Sequence, residues 1–163
     1  MMNSTVKRTC AIALLILIFV LLAFIWSNSL MDKRQSHLQS LAFLQFISSL
    51  FGSISKSGLT EAVLRKIAHF LEFFSLSVVI TSIFRLFRPT SLQLIFNTLS
   101  LGLIAAVIDE SLQIISARGA MISDVLLDFC GVIAGTVFAL AAAFICGRIS
   151  SLRLFEKRRP KNF

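Results

Sequence analysis

Charged residues are scarce in this chain of 163 residues: Asp, Glu, Lys and Arg together make up only 15% of it, whereas 56% is hydrophobic. This composition, with a mean hydropathy of +0.87, excludes an ordinary soluble domain and indicates a membrane protein. Because a membrane-spanning helix takes about 20 residues, the length allows about four or five crossings in one domain. A large aqueous domain does not fit.

Cysteine is also rare, and its three copies give no sign of a disulfide or a metal site. Cys10, Cys130 and Cys146 all lie in apolar segments. The last two, if on one helix, are about 24 Å apart, which is too far for a disulfide. No CxxC or Cys/His spacing suggests zinc, so small apolar side chains packed in helices are the expected role of all three.

Acidic residues are outnumbered by basic ones, and the net charge is +8. In a soluble protein this charge would suggest nucleic-acid binding. Here the densest basic run follows an apolar segment, where cytoplasmic orientation and anionic lipid headgroups explain it better, so no nucleic-acid partner is expected. The run comprises Arg148, Arg153, Lys157, Arg158, Arg159 and Lys161.

Four apolar segments predict an all-α integral membrane bundle of about four transmembrane helices in a single domain. The predicted spans are residues 10–28, 65–84, 92–115 and 124–146, with a loop over 29–64 and a basic tail over 147–163. The first segment also has the pattern of a cleaved signal peptide, but its length favours a retained anchor. The side shared by both termini holds 10 Lys and Arg residues against 6 on the other. This bias predicts cytoplasmic termini, a cytoplasmic tail and an extracytoplasmic first loop.

The second predicted span carries a charged stripe. Arg65, His69 and Glu72 are four and three residues apart, so at ~100° per residue they lie within about 60° of one another. Lys66 lies off this stripe. A lone histidine in a span is usually structural, but His69 has two charged neighbours at helical spacing. His69, tuned by Glu72, is therefore a candidate general acid or base.

The third and fourth spans add carboxylates. Asp109 and Gln113 share a face of the third span, whereas Glu110 points ~100° away. Asp124 and Asp128 open the fourth span. An acid at the centre of a span costs about 2.5 to 3.5 kcal/mol, so such residues almost always face partners, cavities or substrate. With Glu72 these are five carboxylates, which favours a functional site over the alternative of a structural ion-pair network.

Arginines and glycines complete the candidate site. Arg118, between the third and fourth spans, and Arg65 are candidates either for neutralising the acids or for binding a substrate phosphate or carboxylate. Gly131 and Gly135 follow Asp128 in a small-xxx-small pattern that predicts close helix packing. The cofactor stays undetermined, and a divalent cation held by the acids is one option.

In their order along the chain, these motifs resemble those of VanZ-like membrane proteins. The matching segments are Trp26-Ser27-Asn28-Ser29, Arg65-Lys66-x-x-His69-Phe70-x-Glu72-Phe73, Asp109-Glu110-x-x-Gln113, Arg118 and Asp124-Val125-x-x-Asp128-x-x-Gly131-x-x-x-Gly135. One departure is that Ala117 precedes Arg118 and Gly119 follows it, whereas the family often has Gly before this arginine. The resemblance implies a bacterial cell-envelope protein of the cytoplasmic membrane, in a family named after a factor in resistance to the glycopeptide teicoplanin.

The leading hypothesis is an outward-facing polar site that acts on or binds an envelope lipid headgroup or a lipid-linked cell-wall precursor, with a link to glycopeptide resistance. The candidate catalytic residues are His69, Glu72, Asp109, Glu110, Asp124 and Asp128, and the candidate substrate-binding residues are Arg65, Gln113 and Arg118. Whether the site is enzymatic stays open. A non-catalytic binder of a glycopeptide or precursor is the alternative. A proton-coupled transporter is a third hypothesis, against which a polar layer near one membrane face argues. Membrane lipids are the expected partners, and the oligomeric state is undetermined.

Overall fold

The fold is seen in a computed structural model, which describes residues 3–31, 34–35, 37–38, 40–42, 45, 49, 60–87, 89–116, 119 and 121–157. Its main helices are α1 (Ser4–Leu30), α2 (Glu61–Leu86), α3 (Ser91–Ile115) and α4 (Ile122–Lys157). Within these described ranges there is no strand. Each of the four helices has a segment long and apolar enough to cross a membrane. The predicted all-α membrane bundle is therefore confirmed.

Local sequence sets where the helices begin and end. Asn3, Thr60 and Thr90 are the N-caps of α1, α2 and α3, and the side-chain oxygen of each accepts a backbone N–H from the next turn at 3.3 Å. Pro89, which cannot continue a helix, follows the end of α2. Because the cap of α2 is Thr60, Arg65 lies one turn inside the helix and not at its first residue.

Helix α2 is at the centre of the bundle. It packs against the other three helices, most extensively against α4, while α1 packs on α2 and α3. The hydrophobic core includes the fully buried side chains of Ile25, Phe73, Leu76 and Val132. Large apolar side chains such as Phe19 are exposed on the outside, as expected for a surface that meets lipid.

Glycines allow α4 to approach α2 closely. A Cβ added at Gly131 would lie 2.5 Å from the carbonyl oxygen of Phe70, and one at Gly135 would collide with the carbonyl oxygen of Phe74 and the Oγ of Ser77. Because two of these three obstacles are backbone atoms, a side chain cannot be accommodated by a change of rotamer. The small-xxx-small pair thus lies at a helix–helix contact, as such pairs do in membranes.

One end of the bundle is polar. It brings together the last turn of α1, the first turns of α2, the last turns of α3 and the first turns of α4. Hydrogen bonds and short contacts join side chains of the first three, and Asp128 of α4 lies close to His69 and Asp109. We call this region the polar end. Much of the predicted loop over 29–64, including residues 50–59, lies outside the described residues.

Candidate functional site

Asp109 of α3 is a buried carboxylate that accepts hydrogen bonds from two helices. Its side chain is 0% exposed. The Oγ of Ser29, on α1, donates a hydrogen bond to Oδ1 at 2.6 Å, and the Nε2 of Gln113 donates to Oδ2 at 3.2 Å. Gln113 reaches Asp109 because residues four apart share a helix face. Two donors from two helices therefore fix the orientation of this carboxylate.

His69 of α2 lies between two carboxylates. Its Nδ1 is 3.7 Å from the Oε2 of Glu72 on the same helix and 3.8 Å from the Oδ2 of Asp109 on α3. The Nδ2 of Asn28, on α1, donates a hydrogen bond to the other oxygen of Glu72 at 3.0 Å. An imidazole flanked in this way is positioned to accept a proton and to be stabilised while it carries the charge.

Asp128 of α4 is buried without a hydrogen bond. It is 1% exposed, and among the residues that the structure describes neither of its carboxylate oxygens has a hydrogen-bond partner. It lies beside His69 and Asp109, and one ligand atom from each of these three residues falls within 4.8 Å of the others. We call these three residues the triad. One nitrogen and two oxygen donors are a set able to hold a divalent metal ion.

A polar cavity of about 190 Å³ lies mainly between α2 and α4, beside the triad. Its ionisable and amide lining consists of Arg65, Lys66, His69, Gln113, Asp124 and Asp128. Lys66 was expected off the charged stripe of α2, but it is part of this lining because the cavity borders a wider face of α2 than the stripe. Basic and acidic side chains therefore share one small cavity.

Glu110 and Asp124 have different surroundings. Glu110 is buried, and its Oε1 accepts the backbone N–H of Met121 at 2.5 Å, in the segment that precedes α4. This contact gives Glu110 a part in holding the α3–α4 connection. Asp124 lies in the first turn of α4, where the positive end of the helix dipole favours a negative charge, and it lines the polar cavity.

The α3–α4 connection contains a glycine with a positive φ. Gly119 has φ +86° and borders the polar cavity. Only glycine adopts such a conformation without steric cost. The family pattern often has a glycine before the arginine. In this chain the glycine follows the arginine, at position 119, and its positive φ forms part of the turn. Arg118, a candidate for substrate binding, lies outside the described residues.

Sequence reasoning missed Asn28 and Ser29, which hold the carboxylates of α2 and α3. Both are uncharged and follow an unbroken apolar segment, so they have the pattern of an ordinary helix end at the membrane surface. The available signal was their place in the segment Trp26-Ser27-Asn28-Ser29, which is part of the family resemblance. Their contacts also show that α1 contributes to the polar end.

A second cavity, of about 340 Å³, is lined entirely by apolar side chains from α1, α2 and α3. We call it the apolar cavity. Several lining side chains, among them Leu15, Leu101 and Ile104, are exposed, so the cavity opens toward the lipid side of the bundle. Its lining includes Trp26, which is three residues before Ser29, and Ile108, which is the residue before Asp109. One end of the apolar cavity therefore lies within about one helical turn of the polar end.

Comparison with curated proteins and with solved structures gives no match. The family model described as VanZ/LLP1 matches residues 9–145. This range contains every residue of the polar end described above, and it agrees with the resemblance found in the motifs. Because the match covers well over half of the chain, this multi-pass membrane protein belongs to the VanZ/LLP1 family.

Proposed function

We propose that the polar cavity binds the phosphate-bearing headgroup of an envelope lipid or lipid-linked cell-wall precursor and acts on it. The observation that carries the proposal is that Arg65 and Lys66 line the same cavity as His69. Guanidinium and ammonium groups bind phosphate oxygens, and a neighbouring imidazole can move protons. A single cavity thus offers anion binding and acid–base chemistry together.

The size of the polar cavity favours a headgroup over a whole glycopeptide. Sites that bury a drug-sized ligand have volumes of about 300–1,000 Å³. The polar cavity, at about 190 Å³, is smaller than this range. A phosphate with its immediate substituents is an occupant of suitable size, whereas a glycopeptide would have to bind outside it.

The apolar cavity supports a lipid as the source of that headgroup. Exposed apolar side chains on the outer surface of the bundle line it, and its lining includes Ile108, the residue before Asp109. Burying methylene groups stabilises a complex by about 0.8 kcal/mol each. We therefore assign the apolar cavity to an acyl chain of the lipid whose headgroup lies in the polar cavity.

In the proposed reaction His69 acts as general base and then as general acid. It accepts the proton of a nucleophilic water or hydroxyl, and the imidazolium that forms is stabilised by Glu72 and Asp109, whose nearest oxygens are 3.7 and 3.8 Å from Nδ1. The deprotonated oxygen forms a bond to the phosphorus of the headgroup, the bond from phosphorus to the leaving oxygen breaks, and the imidazolium returns the proton to that leaving oxygen. Asn28 and Ser29 hold the two carboxylates, and Arg65 binds the phosphate.

We propose that the polar end faces the extracytoplasmic side. The support is the excess of Lys and Arg on the side that holds both termini, 10 residues against 6. A green fluorescent protein fused to the C-terminus should fluoresce, and an alkaline phosphatase fused there should be inactive, because both report a cytoplasmic position. The reverse pair of results would place the polar end in the cytoplasm.

The reaction is tested with the full chain, purified and reconstituted in nanodiscs, and with radiolabelled bacterial envelope lipids. The variant His69→Ala should lower turnover by about 10²–10⁴-fold, the usual contribution of a general acid–base group. His37→Ala is the matched control, since His37 is exposed and does not line this cavity. Equal turnover by wild type and His69→Ala would contradict the mechanism.

The binding step has its own variants. Arg65→Gln should weaken retention of labelled lipid, whereas Arg85→Gln, at the opposite end of α2 and exposed, should not. Retention that depends on Arg65 and survives His69→Ala, with no product formed by any variant, would indicate a non-catalytic binder. A role in glycopeptide resistance predicts that expression raises the teicoplanin concentration needed to stop growth and that His69→Ala abolishes the rise.

A further inference from the structure

We infer that the triad of His69, Asp109 and Asp128 is a binding site for a divalent transition-metal ion of the Zn²⁺ or Mn²⁺ type. Each residue comes from a different helix, and one ligand atom of each lies within 4.8 Å of the others. The inference goes beyond the proposed function, because binding of the ion does not depend on which headgroup the cavity takes. In the ion-bound protein His69 would be a ligand, and the ion would activate water in place of the imidazole.

Asp128 provides the independent observation. It is 1% exposed and borders the polar cavity, yet neither carboxylate oxygen has a hydrogen-bond partner in the described part of the chain. Buried carboxylates are normally hydrogen-bonded, paired or bound to an ion. A cation between Asp128 and its neighbours supplies the missing partner.

Asp109 has the surroundings of a prepared metal ligand. The hydrogen bonds from Ser29 to Oδ1 and from Gln113 to Oδ2 fix its orientation, and each oxygen keeps a second lone pair for an ion. Metal ligands in proteins are commonly oriented by such outer hydrogen bonds. Their presence on Asp109 means that the carboxylate would not have to reorganise to bind.

The distances permit binding with a small movement. Two ligands of one ion at about 2.1 Å each are about 3.0–3.4 Å apart. The Nδ1 of His69 and the Oδ2 of Asp109 are already within 3.8 Å. No described hydrogen bond holds the carboxylate of Asp128. Rotation of its side chain can therefore shorten its distance to the other two ligands, which is at most 4.8 Å.

The donor set and charge select the type of ion. Ca²⁺ takes six to eight oxygen ligands and Mg²⁺ keeps several waters, whereas an imidazole with two carboxylates suits Zn²⁺ or Mn²⁺. The two negative charges of Asp109 and Asp128 balance a dication in a region shielded from water. Three protein ligands would leave a coordination position open, and the polar cavity, which His69 and Asp128 line, lies beside the triad.

Metal binding is measured on the full chain in detergent micelles after treatment with a chelator. Isothermal titration with Zn²⁺ and with Mn²⁺ should show one ion per chain, and Co²⁺ should give the visible absorption of a site with nitrogen and oxygen ligands. The variants Asp128→Asn and His69→Gln should weaken binding at least about tenfold, since losing even an outer partner of a ligand costs that much.

His37→Gln is the matched control for His69→Gln. It makes the same change at an exposed histidine outside both the triad and the polar cavity. Its affinity should stay close to that of wild type. The inference is overturned if folded wild-type protein binds none of the three ions, or if Asp128→Asn binds as tightly as wild type. If the variants do not fold, the titration and the Co²⁺ spectrum of wild type decide. Metal affinity is measured without lipid, so failure of wild type to bind an ion overturns this inference alone. Absence of lipid turnover by wild type overturns the proposed reaction alone.

Discussion

Replacing Gly131 by alanine tests whether the contact between α2 and α4 is as close as the structure shows. The new Cβ would lie 2.5 Å from the carbonyl oxygen of Phe70. An ordinary carbon–oxygen approach is about 3.3 Å, so the helices would have to separate locally by about 0.8 Å. Since Asp128 is one turn before Gly131 on α4, this separation also moves Asp128 away from His69.

The expected magnitude is the difference of two effects. Overpacking of a close contact costs about 1–3 kcal/mol, and a backbone obstacle that cannot change rotamer belongs in the upper part of this range. Alanine gains about 1 kcal/mol over glycine in a helix. We therefore expect Gly131→Ala to lower the free energy of unfolding by about 1–2 kcal/mol.

Gly147 provides the matched control, because it lies on the same helix and a Cβ added there would have nothing within 4 Å. Gly147→Ala should raise the free energy of unfolding by about 0.5–1 kcal/mol. Both values are measured by titrating the protein in mixed micelles with sodium dodecyl sulfate and following helicity by circular dichroism. Shifts of the same sign for the two variants would refute a tight α2–α4 contact at Gly131.

Three further changes test other parts of the structure. Ser29→Ala removes the hydroxyl that donates to the buried Asp109 and should lower the free energy of unfolding by about 1–2 kcal/mol in the same assay. Ser27→Ala, a change at an exposed serine, should alter it by less than about 0.5 kcal/mol. Gly119→Ala should lower the free energy of unfolding by about 1–3 kcal/mol because the backbone at this position has φ +86°, and Gly119→Asn should lower it less. Equal stability of wild type and both variants would argue against this turn. Leu101→Trp narrows the apolar cavity and should raise the KM for long-chain lipids on the order of tenfold, because about two methylenes lose their burial. Ile133→Trp, at an exposed position outside the cavity, should leave this KM unchanged. A short-chain lipid affected as strongly as a long-chain one would contradict an acyl chain there.

The membrane class and the helical bundle could be predicted from sequence because they depend on local properties. An apolar segment of about 20 residues can satisfy its backbone groups in a bilayer only as a helix, whatever lies around it. The ends of the helices could be predicted less well from sequence, since α2 begins at Glu61 and α4 extends to Lys157, both beyond the apolar segments. Caps and polar turns extend a helix past its membrane-spanning part.

Grouping of candidate residues within one helix was also accessible, because helical periodicity relates residues three and four apart. It placed His69 beside Glu72 and Gln113 beside Asp109, and the structure has a close contact in each pair. Periodicity says nothing of partners on another helix. From sequence alone Glu110 and Asp109 were therefore equivalent candidate site residues. In the structure Asp109 lies in the triad, whereas Glu110 contacts the α3–α4 connection.

By itself the sequence determined the family, the membrane-spanning bundle and the residues that bring charge into it. Only the tertiary structure decided which of them meet: Ser29 with Asp109, Asn28 with Glu72, and His69 with both Asp109 and Asp128. The physical reason is that the rotation and separation of two helices depend on packing along their whole contact, such as the close approach at Gly131. That packing involves residues far apart in the chain, which no local pattern records.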